Sequence, residues 1–396
     1  MLTVKNVDGT LFTITRRSEK IDIEFLKKKE WYCPCCSQRV ILKSGTKRIS
    51  HFAHKKADAC SISLEPESDY HLQGKLQLFE WLRNQGMRPE LERYLKENNQ
   101  RPDLYFEWEG NQFAIEYQCS PLPYRLFRQR SLSYQQSGIV PVWIIGRKKL
   151  ISYGSTLNKL TSFQWYFAQA SEPYPSIISL CPFQKAFFRL GAITAYSPQI
   201  SFAETEKLPL QKTPFIHLFQ NNSSVTTRQV VNWFKKLDSW KISAYKHASI
   251  HHPLYSAIYL NGLLPSSLPP FIGLPVPFGH HIETPAVEWQ AYVYLDVLLK
   301  FEEGGPFKKS LIHEAFQRRI TRRDVKLREL SSHGGHTGFQ KPLDAFLDVL
   351  RRSGYVADGF KKGSLIINRC PDFSAETGAW NTGLKFFQAF GDMEMV

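Results

Sequence analysis

Arg101-Pro-Asp-Leu-Tyr-Phe-Glu-Trp-Glu-Gly-Asn-Gln-Phe-Ala-Ile-Glu-Tyr-Gln-Cys-Ser120 decides how this chain is read. Two strand patterns, 103–108 and 113–118, flank a turn signal, Glu109-Gly-Asn-Gln112. In the second, Phe113, Ile115 and Tyr117 alternate with Ala114, Glu116 and Gln118, so Glu116 and Gln118 share a face. Pairing about Gly110 sets Asp103 beside Glu116. Two carboxylates on one face of a hairpin, backed by apolar residues, can grip a divalent cation through oxygen ligands. Such an ion supports phosphodiester hydrolysis. The same residues also fit an ordinary amphipathic hairpin with a solvated acidic face, and short motifs recur by chance.

Upstream, residues 65–86 read as a helix with Leu72, Leu76, Phe79 and Leu82 as its apolar stripe and Gly86 as C-cap. Glu67, His71 and Lys75 stand four apart and so on one side. A strand pattern over 89–95 sets Leu91 and Leu95 against Glu90 and Glu92. Downstream, Pro121 and Pro123 end the ladder. A helix over about 123–137 carries Arg125, Arg128, Arg130 and Tyr134, and residues 138–146 read as a buried strand. The order α, β, β, β, α, β predicts a mixed sheet with flanking helices, its hairpin carboxylates meeting a helix at one edge.

Residues 1–62 are strand-like and turn-rich, with Cys33-Pro-Cys-Cys36 and His51-Phe-Ala-His54 separated by fourteen residues. Cys33, Cys36, His51 and His54 in two pairs can close a tetrahedral zinc site, and a small β module would draw stability from that ion. The histidines stand one residue closer than in a zinc finger, Cys35 is an alternative ligand, and Cys60 could replace a histidine. Buried free cysteines are the other reading.

Residues 151–270 are aromatic-rich and weakly patterned, apart from a helix over 226–240 with Val230, Phe234, Leu237 and Trp240 on one face. Five prolines in 264–279 suggest a linker or docking loop. Thr284-Pro285 then starts a helix whose core face holds Val287, Ala291, Tyr294 or Leu295, and Leu298. Residues 308–328 hold eight basic and two acidic residues, a phosphate-tracking surface or a solvated helix face.

At 396 residues the chain predicts two or three domains. The boundaries suggest segments 1–62, 63–150, 151–280 and 281–396. The hydrophobic share of 42% and charged share of 22% are those of a folded soluble protein, and the net charge of +15 favours phosphate backbones or anionic membranes. No run of apolar residues is long enough for a transmembrane helix, and the start lacks the apolar core of a signal peptide, so a cytoplasmic location is expected. Seven cysteines clustered toward the start then suggest metal rather than disulfides.

Tyr32-Cys-Pro-Cys-Cys36, His51-Phe-Ala-His54, Glu67 with His71 and Gly74-Lys75, Arg101-Pro-Asp103, Ile115-Glu-Tyr-Gln-Cys-Ser120, Arg130 with Tyr134, and Gly138-Ile-Val-Pro-Val-Trp-Ile-Ile-Gly146 together resemble the competence protein CoiA family over about residues 1–150. The resemblance implies an α/β multidomain protein: a small β zinc-ribbon-like module, a PD-(D/E)xK restriction-endonuclease-like mixed-sheet core, and a mainly helical C-terminal region. It implies a nuclease acting in DNA uptake and recombination during natural transformation. Single-stranded DNA or recombination intermediates are the implied substrate, and RecA-type recombination proteins the implied partners. By that resemblance Asp103, Glu116 and Gln118 form the core triad, joined by Glu67, His71 and Lys75 from the first helix. Asp103, Glu116 and Glu67 would hold Mg2+ (or Mn2+). Gln118 stands where the fold usually has lysine and orients a water by hydrogen bonding. Lys75 would supply the missing charge, and His71 would act as base or proton shuttle. Arg125, Arg128, Arg130, Arg318, Arg319, Arg322 and Arg323 are the expected DNA contacts. The alternative is a catalytically weak or inactive DNA-binding adaptor that assists recombination proteins.

Overall fold

The computed structural model describes residues 1–15, 23–45, 49–55, 60, 67–169, 172–220, 224–247, 249–330, 338–368 and 379–390. The chain divides into two compact units: residues 1–149 with 177–189 and 206–220, and residues 150–176 with 190–205 and 221–396. Each has its own core. The first gathers Leu72, Leu76, Trp81, Phe106, Ile115 and Tyr117. The second gathers Trp233, Phe234, Phe271, Trp289, Phe316 and Phe346.

The first unit opens with an antiparallel sheet ordered β2–β1–β3–β4–β5, from β1 (Thr3–Lys5), β2 (Leu11–Thr13), β3 (Trp31–Tyr32), β4 (Arg39–Lys43) and β5 (His51–His54). Helix α1 (Ile23–Lys28) lies between β2 and β3 in sequence. Helix α2 (Asp69–Arg83) starts where the Ser68 hydroxyl accepts from the His71 amide at 3.2 Å. The start of the expected helix, residues 65–66, lies outside the described residues. Leu72, Leu76 and Leu82 are buried as the stripe predicts, and so are Tyr70, Leu78 and Trp81. That wider band marks a helix packed on more than one side.

The hairpin follows as β7 (Leu104–Trp108) and β8 (Asn111–Gln118), with β6 (Glu90–Leu91) pairing β7. Its turn is two residues, not four: Glu109 and Gly110 take φ of 48° and 75°, and Asn111 already pairs with Trp108. Two successive positive φ values reverse the chain with the twist that flanking strands prefer. The strand expected over 89–95 stops at Leu91, because Glu92 turns at φ 55°.

Helix α3 (Tyr124–Gln136) leads to β9 (Ile139–Gly146), parallel to β8 with Gln118 opposite Ile145. β10 (Ile151–Tyr153), β11 (Leu157–Lys159) and α4 (Ser162–Trp165) belong to the second unit. β12 (Ile177–Cys181) returns to the first unit and runs parallel to β9. β13 (Ala186–Ala195) and β14 (Ile200–Pro209) each contribute residues to both units. In the first unit the mixed sheet therefore reads β6–β7–β8–β9–β12–β13–β14, the last two through the residues they contribute there.

The second unit continues with α5 (Thr227–His247), α6 (Pro253–Leu260), α7 (Ala286–Asp296), β15 (Pro306–Lys308), α8 (Ser310–Thr321), α9 (Gln340–Arg352), β16 (Val356–Asp358), β17 (Ser364–Ile367) and α10 (Ala379–Phe390). The expected mainly helical region thus also holds an antiparallel sheet ordered β15–β17–β16. From α7 to β17 this is the element order of a winged helix. The proline-rich segment is no linker: Phe271, Ile272, Leu274 and Val276 are core residues. Gln290 supplies the partners a strand ladder would give, accepting from the amides of Gly273 and Leu274 at 2.7 and 2.9 Å and donating to the Leu274 carbonyl at 2.8 Å. Thr284 does not cap α7, since Pro285 stands there and the Thr284 hydroxyl accepts from the Lys326 amide instead. Among the described residues no helix is long and apolar enough to cross a membrane.

Candidate functional site

Glu67 just before the α2 cap, His71 in its first turn and Asp103 just before β7 bring one ligand atom each within 4.8 Å of one another. His71 Nε2 lies 3.2 Å from Asp103 Oδ2, and Nδ1 lies 3.9 Å from Glu67 Oε1. Asp103 Oδ2 also accepts from the Tyr117 amide at 2.8 Å. One turn along α2, the wholly buried Lys75 directs its ammonium at Glu67 and Glu92, with Asp103 Oδ1 at 3.6 Å. Glu92 Oε2 accepts from the amides of Leu2 and Thr3 at 2.8 and 3.1 Å, and the Met1 amino group lies 2.5 Å from Glu67 Oε2. A side chain at position 74 would destroy this arrangement. A Cβ there would stand 2.0 Å from Tyr117 Cε1, so glycine lets the Tyr117 ring lie on α2 and sets the amide that holds Asp103.

Burial alone would push all three carboxyls up. The neighbouring positive charges, Lys75 first and the Met1 amino group with it, together outweigh it at Glu67, held well below the usual range, and at Glu92, held below it. At Asp103 burial is outweighed by His71 and then Lys75, and its carboxyl is held at about 2. Burial would lower His71, but the Asp103 carboxylate, with Glu67, raises it on balance. The group is therefore a set of ionised carboxylates around built-in cations.

Glu116 lies outside this close group, though its carboxyl still feels the charges of Asp103 and His71. The pairing of Leu104 with Ile115 puts Asp103 beside Glu116 along the ladder, as the turn predicts. Asp103 lies beyond the end of β7, where strict alternation no longer binds its side chain. Tyr117 faces α2, so Glu116 faces α3. There its Oε1 accepts from the Tyr134 hydroxyl at 2.5 Å and from Arg130. Burial pushes Glu116 up to about 7 against the opposing charge of Arg130. Gln118 donates to the Ser120 carbonyl at 2.9 Å. Of the residues read as the core triad, only Asp103 lies in the close group with Glu67 and His71.

The expected DNA contacts divide likewise. Arg125, Arg128, Arg318, Arg322 and Arg323 are exposed. Arg130 is held by Glu116 and lies over the Trp143 ring at 5.6 Å. Arg319 grips both oxygens of Asp296 at 2.8 Å, bonds Asp324 at 2.8 Å and lies over Tyr292 at 4.2 Å. These two guanidiniums are structural cross-links rather than free phosphate contacts. Spacing along the chain does not reveal that, because the partners of Arg319 include one 23 residues away.

In the N-terminal sheet Cys33, Cys36, His54 and Cys60 form a second close group, within 4.8 Å. Cys36 Sγ lies 3.3 Å from His54 Nε2. A tight turn shapes the first pair: the Cys33 amide donates to Gln38 O at 2.8 Å and the Ser37 amide to Cys33 O at 3.0 Å. His51 is outside the group and Cys60 is in its place. Residues three apart on a strand point to opposite faces, so His51 and His54 of β5 diverge, and His51 Nδ1 pairs with the Ile49 carbonyl at 2.8 Å. A hydrogen bond from Cys35 brings the Cys33 thiol down to about 4. Three sulfurs and one imidazole are a donor set that tetrahedral zinc takes.

Three family models match in turn: the N-terminal domain of competence protein CoiA over residues 15–63, its nuclease-like domain over 67–223, and its C-terminal domain over 229–369. The chain belongs to the competence protein CoiA family. It is 30% identical over 339 residues to the competence protein CoiA of Bacillus subtilis (strain 168), covering 85% of this chain and 90% of that protein. No solved structure matches. The nuclease-like match begins at Glu67 and takes in both the Glu67–His71–Asp103 group and Glu116. Sequence reasoning missed Glu92, which it placed only on the strand face opposite Leu91 and Leu95. The one signal for the Glu116 contacts was the presence of Arg130 and Tyr134 on one helix.

Proposed function

We propose that this chain is a divalent-metal-dependent nuclease of the PD-(D/E)xK kind, acting on DNA in natural transformation and recombination. The observation that supports it most is the convergence of two carboxylates and an imidazole inside a nuclease-like domain. Oxygen donors suit Mg2+ and Mn2+, and an imidazole completes the set without disfavouring Mn2+. Bound there, such an ion would neutralise charge on the scissile phosphate and lower the pKa of an attacking water. Glu67, His71 and Asp103 hold it. Lys75, fixed among the same carboxylates, supplies the positive charge that neutral Gln118 lacks. Glu116, near half-protonated at neutral pH, holds a proton at the carboxyl that Tyr134 and Arg130 orient. In this reading Cys33, Cys36, His54 and Cys60 carry structural zinc, the protein works in the cytoplasm, and RecA-type proteins are its partners.

A second reading is favoured by the same geometry. Arg130 occupies Glu116, Gln118 bonds its own loop, and Lys75 fills the space between the carboxylates, as in a degenerate site that binds DNA without cutting it. Mn2+ titration followed by electron paramagnetic resonance separates the two. The nuclease reading expects a site lost in Asp103→Asn and weakened in Glu67→Gln. Equal Mn2+ binding by all three proteins would remove its metal centre.

A further inference from the structure

The parallel strands β8, β9 and β12 release their C-terminal ends at one edge of the sheet, with Gln118 opposite Ile145 and Leu180 opposite Gly146. Asp103 is at that edge too, bonded to the Tyr117 amide. Open sheets bind ligands beyond such strand ends. Two segments here had no assigned role: Arg147-Lys148-Lys149 after β9, and the β12–β13 turn with Phe183 and Lys185. Phe183 is 59% exposed although it is a large apolar ring. Lys148 Nζ lies 4.6 Å from the Tyr70 ring centre and 4.7 Å from that of Phe183.

A ladder of rings joins this surface to the carboxylates. His71 stacks on Tyr117 at 5.6 Å, Tyr117 on Tyr70 at 6.3 Å, and Tyr70 meets Phe183 edge-on at 5.4 Å. Residues 117–149 and 177–189, all in the first unit, contain eight Lys and Arg and no Asp or Glu, and of these Arg130 and Arg189 are paired with Glu116 and Glu206.

We infer that Phe183 with Arg147, Lys148, Lys149 and Lys185 is a stacking platform for single-stranded DNA that leads the strand to the Glu67–His71–Asp103 group. An exposed ring beside cations is what an unpaired base and its phosphates need, whereas the bases of a duplex are already stacked on each other. The inference rests on the nuclease reading for what happens to the strand, not for the binding itself.

The test is fluorescence anisotropy with a labelled oligothymidylate and a duplex of equal length, without added Mg2+ or Mn2+. Alanine replacement of a stacking ring costs on the order of 5- to 100-fold in affinity. Phe183→Ala should lose that much for the single strand and little for the duplex, and Phe183→Trp should retain binding. Lys148→Gln should flatten the salt slope by about 0.7. Unchanged single-strand affinity in Phe183→Ala overturns the platform. So does binding to phosphatidylglycerol vesicles that Phe183→Ala abolishes while DNA binding persists, which would make the patch a membrane contact. Because no cleavage is read, a failure of the nuclease reading leaves this result standing, and unchanged single-strand affinity in Phe183→Ala sinks the platform alone.

Discussion

Replacing Lys75 by methionine tests the electrostatic logic of the site. Lys75 contacts Glu67 and Glu92 directly and lies 3.6 Å from Asp103, and its side chain has no solvent exposure. Removing one partner of a buried ion pair costs about 3–5 kcal/mol, because the remaining charges stay buried and unpaired. His71 and the Met1 amino group remain near Glu67, which places the expected loss near the lower end, about 3 kcal/mol. For a unit of this size that is a fall in Tm of about 6–12 °C. The pH dependence follows from the directions at the three carboxyls. In the wild type all are held below their ordinary values, so their stabilisation is present above about pH 4.5 and lost as pH falls through the folded values. Without Lys75, burial raises them, and protonation then relieves the variant. The stability difference between wild type and Lys75→Met should therefore shrink from pH 7 to pH 5. Glu116 titrates over the same range, but it does so in both proteins and cancels in the difference. Urea unfolding at the two pH values, with and without Mn2+, reads this directly, and Mn2+ should restore part of the loss. A loss below about 1 kcal/mol at pH 7, or a difference that does not shrink at pH 5, would refute the reasoning.

Gly74→Ala forces a methyl into the Tyr117 ring at 2.0 Å; overpacking of about 3 kcal/mol less about 1 kcal/mol of helix propensity leaves a loss of about 2 kcal/mol in thermal unfolding, and an unchanged Tm would contradict the packing. Cys60→Ser should lower the zinc bound per chain, measured by plasma mass spectrometry, while His51→Gln should not; the reverse pattern would restore the paired-histidine site. Glu116 is raised from 4.5 to about 7, so its contribution is fully present below pH 4.5 and lost as pH rises through 7, about 3 kcal/mol at 1.36 kcal/mol per pH unit as an upper bound. Glu116→Gln should remove that slope from a stability–pH profile, and a wild-type profile flat between pH 4.5 and 7 would count against the burial of this carboxyl.

Much of the first unit was legible because its signals are local. Alternation in 113–118 and the Gly110 reversal fix the hairpin register, and the leucines of 72–82 fix the helix that faces it. Spacing set Glu67 and His71 on one side, and the family resemblance, rather than any local pattern, joined them to Asp103, with which they form one close group. What the residues did not reveal depends on distant partners. Glu92 turns inward because Lys75, seventeen positions away, awaits it. Glu116 and Asp103 read as one pair, but Glu116 bonds Arg130 and Tyr134 while Asp103 joins Glu67 and His71. His51 and His54 looked like a ligand pair until β5 put them on opposite faces. The prolines of 264–279 suggested a linker because prolines cannot join a ladder, and nothing local shows that Gln290 satisfies the backbone instead.

The most direct measurement is cleavage of labelled single-stranded, duplex and branched DNA with Mg2+ or Mn2+, wild type beside Asp103→Asn. The account predicts metal-dependent cutting by the wild type, greatest on single strands, and its loss in the variant with DNA binding retained. Binding without a metal-dependent cut on any substrate would contradict it and leave a DNA-binding protein built on a nuclease-like domain.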